Sequence, residues 1–264
     1  MRAIRCGRGL GDSLYLQAVV RHLIKTTPES FVVRSDYPDV FRPLKHRVDV
    51  TPFSRVVDLC AHYAARKSVV GTTQFEDCLY GVGLLEKKAE VELRIDWEIT
   101  DRGLPWDLGL YGRPIVLVQL PRAPMGRTDG FGKELLPDCR VIQQAIDRVR
   151  DRALIVQIGS GVPLFKFDHI DVDLANKTSV AQLLDVASVA SGFIGYVSFM
   201  VPLAESFGKP ALFVWSARGL RGSHQFIRQI TPKKVLQRPS SRFVVDDWPG
   251  GKHDEAFHDF ALLL

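Results

Sequence analysis

No run in this chain approaches the ~18 consecutive apolar residues that suggest a membrane-spanning helix, so a bilayer-crossing protein is disfavoured. The first residues, MRAIRCGRGLGD, lack the apolar stretch and small-residue cleavage site of a secretory signal, and the cytoplasm is the expected location. Cysteine is scarce and scattered. Cys6, Cys60, Cys78 and Cys139 form no C-x-x-C pair and have no histidine at zinc-finger distance, which argues against a disulfide framework and against a metal site. Internal repeats and low-complexity tracts are lacking. So are a Ser/His/Asp triad pattern, H-E-x-x-H and the Walker-type G-x-x-x-x-G-K-[ST], and hydrolase and P-loop readings lose their support.

What is present is an ordinary globular composition, 46% hydrophobic and 25% charged, over 264 residues. That length suggests two domains of ~100–200 residues each, and two domains make a cleft. The formal charge of +5 favours an anionic partner such as a nucleotide, nucleic acid, phosphorylated glycan or membrane surface. Most of the charge is dispersed. The exception is Arg218, Arg221, His224, Arg228, Lys233, Lys234 and Arg238, which reads either as a solvated face or as an anion-binding rim.

The chain opens with a short strand, Ala3–Cys6, then GRGLGD, then a helix from Ser13 to about Lys25 whose Leu16, Val19, Val20 and Leu23 share one face. Glycines at 7, 9 and 11 allow a sharp turn and close approach of a ligand. They do not make the dinucleotide fingerprint: Leu14 stands where its third glycine belongs, and no acidic residue ends an obvious second strand. A nicotinamide oxidoreductase is thereby disfavoured. Asp12 at the helix start is either an N-cap or, at the mouth of an interdomain cleft, a general base for an attacking hydroxyl.

Further strands are expected at Ser30–Ser35, Val48–Val50 and Val56–Leu59, with a short glycine-containing helix over Asp77–Leu85. The charged stretch Glu86–Asp101 and the turn-rich Gly103–Gly112 mark the domain boundary. Strands then alternate with helices: Pro114–Leu120, Val141–Val149, Ala153–Ile158 and Ser179–Ala190, the last opening on the capping-box pair Ser179 and Gln182. This alternation predicts an α/β protein with parallel sheets wrapped by helices, in two Rossmann-like lobes. The expected division is residues 1–110, residues 111–251, and a terminal helix over 252–264 packing back across the lobes.

The most informative stretch is Gly192–Ser216, GFIGYVSFMVPLAESFGKPALFVWS, read as strand, turn, helix, Gly-Lys-Pro break and strand. A helix start at the carboxyl end of a parallel strand holds anions, because unpaired N–H groups and the helix dipole point there together. Ser198 is the expected cap, and Ser198, Phe199 and Met200 the expected phosphate-facing backbone. Arg122, Arg127 and Lys133 lie in the loop after Pro114–Leu120, and Gly159 and Ser160 follow Ala153–Ile158; loops at these ends carry ligand contacts. The alternatives remain a structural βαβ unit and solvated loop cations.

RGLGDSLYLQAVVRHL, together with DLANKTSVAQLLDVASVASGFIGYVSFMVPLAESFGKPALFVWS, resembles the heptosyltransferase-like glycosyltransferases of family 9. LANKTSVAQLLDVAS is similar to that family's L-x-G-K-T-S-L-x-x-L-x-x-x-I helix, and SFMVPLAESFGKP to its S-G-P-x-H-x-A-x-x-x-G-K-P segment; together they cover roughly half the chain. The resemblance implies a GT-B fold, with two Rossmann-like lobes facing each other across a cleft. It further implies inverting transfer without a required metal and without a cofactor, the nucleotide-diphosphate sugar serving as donor substrate in the C-terminal lobe. The family's proposed base falls on Asp12, which puts Arg8, Gly9 and Gly11 on the acceptor side. The donor side would comprise Arg122, Arg127, Lys133, Gly159, Ser160, Ser198, Phe199 and Met200.

The chain departs from the family pattern where Tyr196, Val197, Ser198 and Phe199 replace Asn-Asp-Ser-Gly and where Pro202 replaces a histidine. These changes thin the polar donor contacts. The expected acceptor is a hydroxyl on a cell-surface glycan such as lipopolysaccharide core or on a hydroxymethylated DNA base of viral type. Rival readings are a non-catalytic nucleotide- or glycan-binding protein of GT-B shape and a nucleotide-sugar epimerase, which needs further acids and a histidine near the nucleotide.

Overall fold

The computed structural model describes residues 1–62, 73–99, 108, 112–122, 135–221 and 230–264. The N-terminal part contains β1 (Arg2–Arg5), α1 (Leu10–Thr26), β2 (Phe31–Arg34), a 3-10 turn over Pro38–Leu44, β3 (Val48–Thr51), β4 (Leu59–Cys60), α2 (Gln74–Tyr80) and a second 3-10 segment over Leu85–Glu90. Its four strands lie parallel in the order β3-β2-β1-β4. The expected helix over Asp77–Leu85 begins earlier, because Thr73 and Glu76 form a reciprocal capping box, and it stops at Tyr80 before Gly81.

The second part runs β5 (Ile115–Gln119), α3 (Cys139–Val149), β6 (Leu154–Ile158), β7 (Val172–Asp173), α4 (Val180–Val189), β8 (Gly192–Tyr196), α5 (Met200–Phe207), β9 (Ala211–Trp215), α6 (Ala217–Arg221), α7 (Pro232–Val235), β10 (Ser241–Val245) and α8 (Gly250–Leu263). The sheet order is β10-β9-β8-β5-β6-β7, all parallel. The chain starts in the middle, winds one way through β6 and β7, then returns to the other side of β5. That reversal creates a crevice between the carboxyl ends of β5 and β8, and the smaller sheet has its own between β1 and β4. Ligand sites in open α/β sheets form at these two kinds of place.

The strands of the larger sheet read as unbroken apolar runs because both faces are covered. Val116, Val118, Ile155, Leu212 and Val214 face α3 and α8, whereas Ile115, Leu117, Val156, Ala211 and Phe213 face a core that continues into the N-terminal lobe. Gly208, left-handed at φ +66°, ends α5 and allows the turn into β9.

The terminal helix had been expected to pack back across the lobes. Its Phe257, Phe260 and Ala261 instead sit with α3 on the outer face of the six-stranded sheet, and Arg152 Nη2 donates to the Ala261 carbonyl at 2.8 Å. The reason is pattern: those residues find their apolar partners on β8, β9 and β10.

The two lobes are joined by one shared core. Gly11 of α1 lies against Phe199, just before α5, and Pro202 within it, where a β-carbon would come within 2.8 Å of Pro202. Residues 91–97, part of the charged stretch read as a boundary loop, run extended into the second lobe. Ile95 N donates to the Ser206 carbonyl at 3.2 Å, Trp97 Nε1 to Asp185 Oδ1 at 2.9 Å, and Arg238 Nη2 to the Leu93 carbonyl at 2.9 Å. Arg238 is therefore a strut between lobes. Arg221 pairs with Asp247, and His224 and Arg228 of the proposed basic rim lie outside the described residues, as does most of the expected boundary Gly103–Gly112.

Candidate active site

Between the two crevices lies a cavity of about 590 Å³. Gly9, Leu10, Gly11, Asp12, Tyr15 and Tyr37 line it from the N-terminal lobe, and Arg122, Gly159, Ser160, Ser179 and Ser198 are among its walls on the other side. Three helix starts converge here, those of α1, α4 and α5. Each carries first-turn N–H groups without intrahelical partners and the positive end of its dipole.

At the start of α1, Gly9 N–H donates to Asp12 Oδ2 at 3.0 Å, so the carboxylate folds back as part of the cap. Its other oxygen is 3.5 Å from His62 Nε2, and both side chains are mostly covered, at 15% and 19% exposure. His62 follows β4, so the pair bridges the N-terminal crevice. One oxygen of Asp12 thus serves the cap while the other faces His62. Gly7 leaves the space for this: a β-carbon there would fall on Asp12 Oδ2 and come within 2.6 Å of His62 Nε2. His62 went unnoticed in the sequence because its proximity to Asp12 depends on β4 pairing beside β1.

Ser198 caps from one residue further out than usual. Its Oγ accepts from Met200 N–H at 3.1 Å, and its carbonyl accepts from Val201 N–H at 3.3 Å. Met200 is fully buried, is not among the cavity-lining residues, and has its N–H committed to Ser198. Ser198 and Phe199 do line the cavity. Pro202 falls in the first turn, where a missing N–H costs little.

The start of α4 offers more. Ser179 Oγ accepts from Gln182 N–H at 3.2 Å, and Ser179 N–H donates to Gln182 Oε1 at 2.9 Å, the reciprocal box read from the sequence. That box leaves the Val180 and Ala181 N–H groups uncommitted among the described hydrogen bonds, with Thr178, Ser179 and Val180 on the cavity wall. The sequence reading took Ser179 as a cap only; its position at the cavity follows from α4 packing beside α5.

Across the second crevice, Tyr196 OH donates to the Leu120 carbonyl and accepts from Arg122 N–H, both at 3.4 Å. Burial pushes the Tyr196 phenol up from its ordinary value, so it stays a neutral donor. Gln119 Oε1 accepts from Tyr196 N–H at 3.3 Å. Gly159 (φ +125°) and Gly161 (φ +114°) shape the loop after β6, which Asn176 ties down: it accepts from Gly161 N–H through Oδ1 at 2.6 Å and donates to the Gly161 carbonyl through Nδ2 at 3.1 Å. Gly161 in turn packs against the Arg122 side chain.

Among the described lining residues Arg122 is the one cation, Asp12 the one carboxylate, and there is no histidine. Arg127 and Lys133 lie outside the described residues. Arg8 does not line the cavity; its Nε pairs with Asp36 at 3.0 Å. No group of three or more His, Cys, Asp or Glu side chains that can hold a metal occurs among the described residues, and no described helix is long and apolar enough to cross a membrane.

No protein-family model matches the sequence, and no curated protein matches it. The fold does match solved structures. The glycosyl transferase family 9 protein from Veillonella parvula superposes with a TM-score of 0.60 at 10% identity, covering 92% of this chain and 85% of that one. E. coli ADP-heptose lps heptosyltransferase II gives 0.58 at 12% identity, covering 100% and 98%. E. coli heptosyltransferase WaaC, solved with ADP-2-deoxy-2-fluoro heptose, gives 0.56 at 11% identity, covering 99% and 98%. The architecture is GT-B.

Proposed function

We propose that this protein is a glycosyltransferase that moves a sugar from a nucleotide-diphosphate donor to an acceptor hydroxyl by one inverting displacement. The observation that carries this reading is that Asp12, at the crevice of one lobe, and the starts of α4 and α5, at the crevice of the other, line the same cavity. Asp12 takes the proton from the acceptor hydroxyl as its oxygen attacks the anomeric carbon. The bond from that carbon to the diphosphate oxygen breaks on the opposite face. Negative charge then grows on the leaving diphosphate, where the Val180 and Phe199 N–H groups and the Arg122 guanidinium act as pre-oriented donors. No metal enters this scheme.

Solved relatives of this shape carry ADP-linked heptose, so ADP sugars are the first donors to test. The acceptor is a glycan hydroxyl, as in lipopolysaccharide core, or a hydroxymethylated DNA base; acceptor affinity falling steeply with salt would select the nucleic acid. An epimerase reading would require further acids and a histidine beside the nucleotide, and the described lining supplies only Asp12.

A second reading, a binding protein that has lost transfer, is favoured by one observation: Met200 N–H is spent on Ser198 and Pro202 has none, which leaves α5 poor in free donors.

The test is thermal unfolding against UDP, ADP, GDP, TDP and CMP, each with and without its sugar, followed by transfer assays. A ligand at a hundred times its Kd stabilises by about 2.7 kcal/mol. Stabilisation by one nucleotide with sugar transfer supports the enzyme. Stabilisation without transfer to any acceptor supports the binding protein, and no stabilisation by any of them overturns both.

A further inference from the structure

The four-stranded sheet ends in a row of side chains that the cavity does not use. Arg5, Arg34, Thr51 and Cys60 are the last residues of β1, β2, β3 and β4, and the register sets Arg5 between Arg34 and Cys60, with Thr51 beside Arg34. The row lies on the face away from α1, since the alternate residues Ile4 and Val33 are fully buried in the shared core.

Neighbouring strands run about 4.8 Å apart, so register makes Arg5 and Arg34 side-by-side cations. Like charges on one face of adjacent strands repel unless something negative lies between them. Among the described residues neither has a carboxylate partner. Arg5 Nη1 donates to the Cys6 carbonyl at 3.2 Å and Arg34 Nη1 to Thr51 Oγ1 at 2.6 Å, both neutral acceptors. The Nε atoms of both arginines are buried with no acceptor among the described residues. A buried, charged donor left unpaired is costly, and native proteins keep such groups where a ligand completes them.

A third arginine stands close by. The guanidiniums of Arg5 and Arg8 both lie over the ring of Phe53, at 5.7 and 5.3 Å from its centroid, so one aromatic face holds two cations together. Arg8 is neutralised by Asp36; among the described residues Arg5 and Arg34 have no such partner.

We infer that Arg5 and Arg34, flanked by Arg8 and Phe53, form a binding site for a phosphate-type oxyanion at the carboxyl edge of the four-stranded sheet. Planar guanidinium forks match phosphate oxygens in pairs, and the two free Nε–H groups supply the missing donors. Resting on the transferase reading, the site further assigns the acceptor to the phosphorylated class: its phosphate docks at Arg5 and Arg34, and Asp12 lies at the start of the helix that follows β1. The oxyanion site itself stands without that reading.

The test uses the full chain in phosphate- and sulfate-free zwitterionic buffer, with inorganic phosphate and a sugar monophosphate as separate probes and the unfolding midpoint as readout. The wild type is expected to gain a saturable rise. Arg5→Gln and Arg34→Gln lose it by tenfold or more in apparent affinity, while without phosphate each melts at or above the wild type because the repulsion is relieved. Arg34→Lys retains part of the response, having the charge without the fork. A tighter response to the sugar phosphate identifies the acceptor's phosphate as the natural occupant; an equal one identifies free phosphate. An undiminished response in both Gln variants overturns the proposal, because phosphate then sits at the helix starts. So does no response in the wild type, or Gln variants that melt below it without phosphate, as purely structural arginines would. Asp12→Asn keeps the phosphate response, so failure of transfer and failure of this site are read separately.

Discussion

The carboxylate of Asp12 and the imidazole of His62 stand 3.5 Å apart across the gap between the first and fourth strands. One oxygen of Asp12 is held by Gly9 N–H and the other faces His62, so the side chain has a single orientation at the cavity wall. Asp12→Asn is expected to lower kcat by roughly 10²–10⁴-fold, the usual contribution of a positioned acid or base, while nucleotide binding by calorimetry stays unchanged. Equal turnover by the variant rules out the base assignment.

On the transferase reading, His62 acts through Asp12 as a positioning residue. His62→Ala should lower kcat by about ten- to a hundredfold, with KM and the unfolding midpoint nearly unchanged, because the carboxylate loses its fixed direction. A raised KM at constant kcat would instead make His62 an acceptor contact.

Gly7 tests the same geometry from the backbone. A β-carbon there falls between Asp12 and His62 and displaces both. Since these are side chains and not backbone, Gly7→Ala should cost little stability yet lower transfer by about 10²-fold, the scale of an ångström of misplacement. Melting curves and initial rates measured on one preparation separate the two effects.

Gln17 ties α1 to the 3-10 turn at Val40 and to the segment around Asp96. It is fully buried, donates to the carbonyls of Val40 and Asp96 at 2.7 and 2.8 Å, and accepts from Asp96 N–H at 3.0 Å. Gln17→Leu strands these backbone groups and should cost about 3 kcal/mol in urea unfolding, at ~1–3 kcal/mol for each group left without a partner. A loss below 1 kcal/mol would mean that the segment around Asp96 re-pairs with water.

Glu205 carries the pH prediction. Burial pushes its carboxyl above the ordinary 4.5, against the opposing contacts from Ser241, Gln237 and Arg238. A raised folded value means the folded protein binds the proton more tightly than the unfolded chain. The resulting stability is full below pH 4.5 and is lost as pH rises through the folded value. Urea midpoints of the wild type should therefore fall relative to Glu205→Gln as pH rises from about 4.5. A flat difference would mean that the contacts cancel the burial.

Much of this was legible beforehand, for local reasons. Apolar runs such as IVLVQ and ALFVW announce buried parallel strands, the Ser179–Gln182 box announces a helix start, and Gly208 announces its neighbour's end. The sequence marks the segment around Trp97 as a domain boundary, loop and hinge together, but its charges hide the contacts it makes with the second lobe: Asp185, which accepts from Trp97, lies on a helix 88 residues away. The terminal helix was sent to the wrong surface because amphipathicity tells that a face will be covered and not by what.

The order of strands and helices, the glycine turns and the identity of Asp12 as a carboxylate at a helix start were determined by sequence alone, since each depends on residues within a few positions of one another. Tertiary structure decided everything that depends on strand order. It placed His62 against Asp12, set Arg5 beside Arg34, and brought the starts of α1, α4 and α5 to one cavity. Register and crossover join residues dozens of positions apart, and no local pattern encodes which strand will lie beside which.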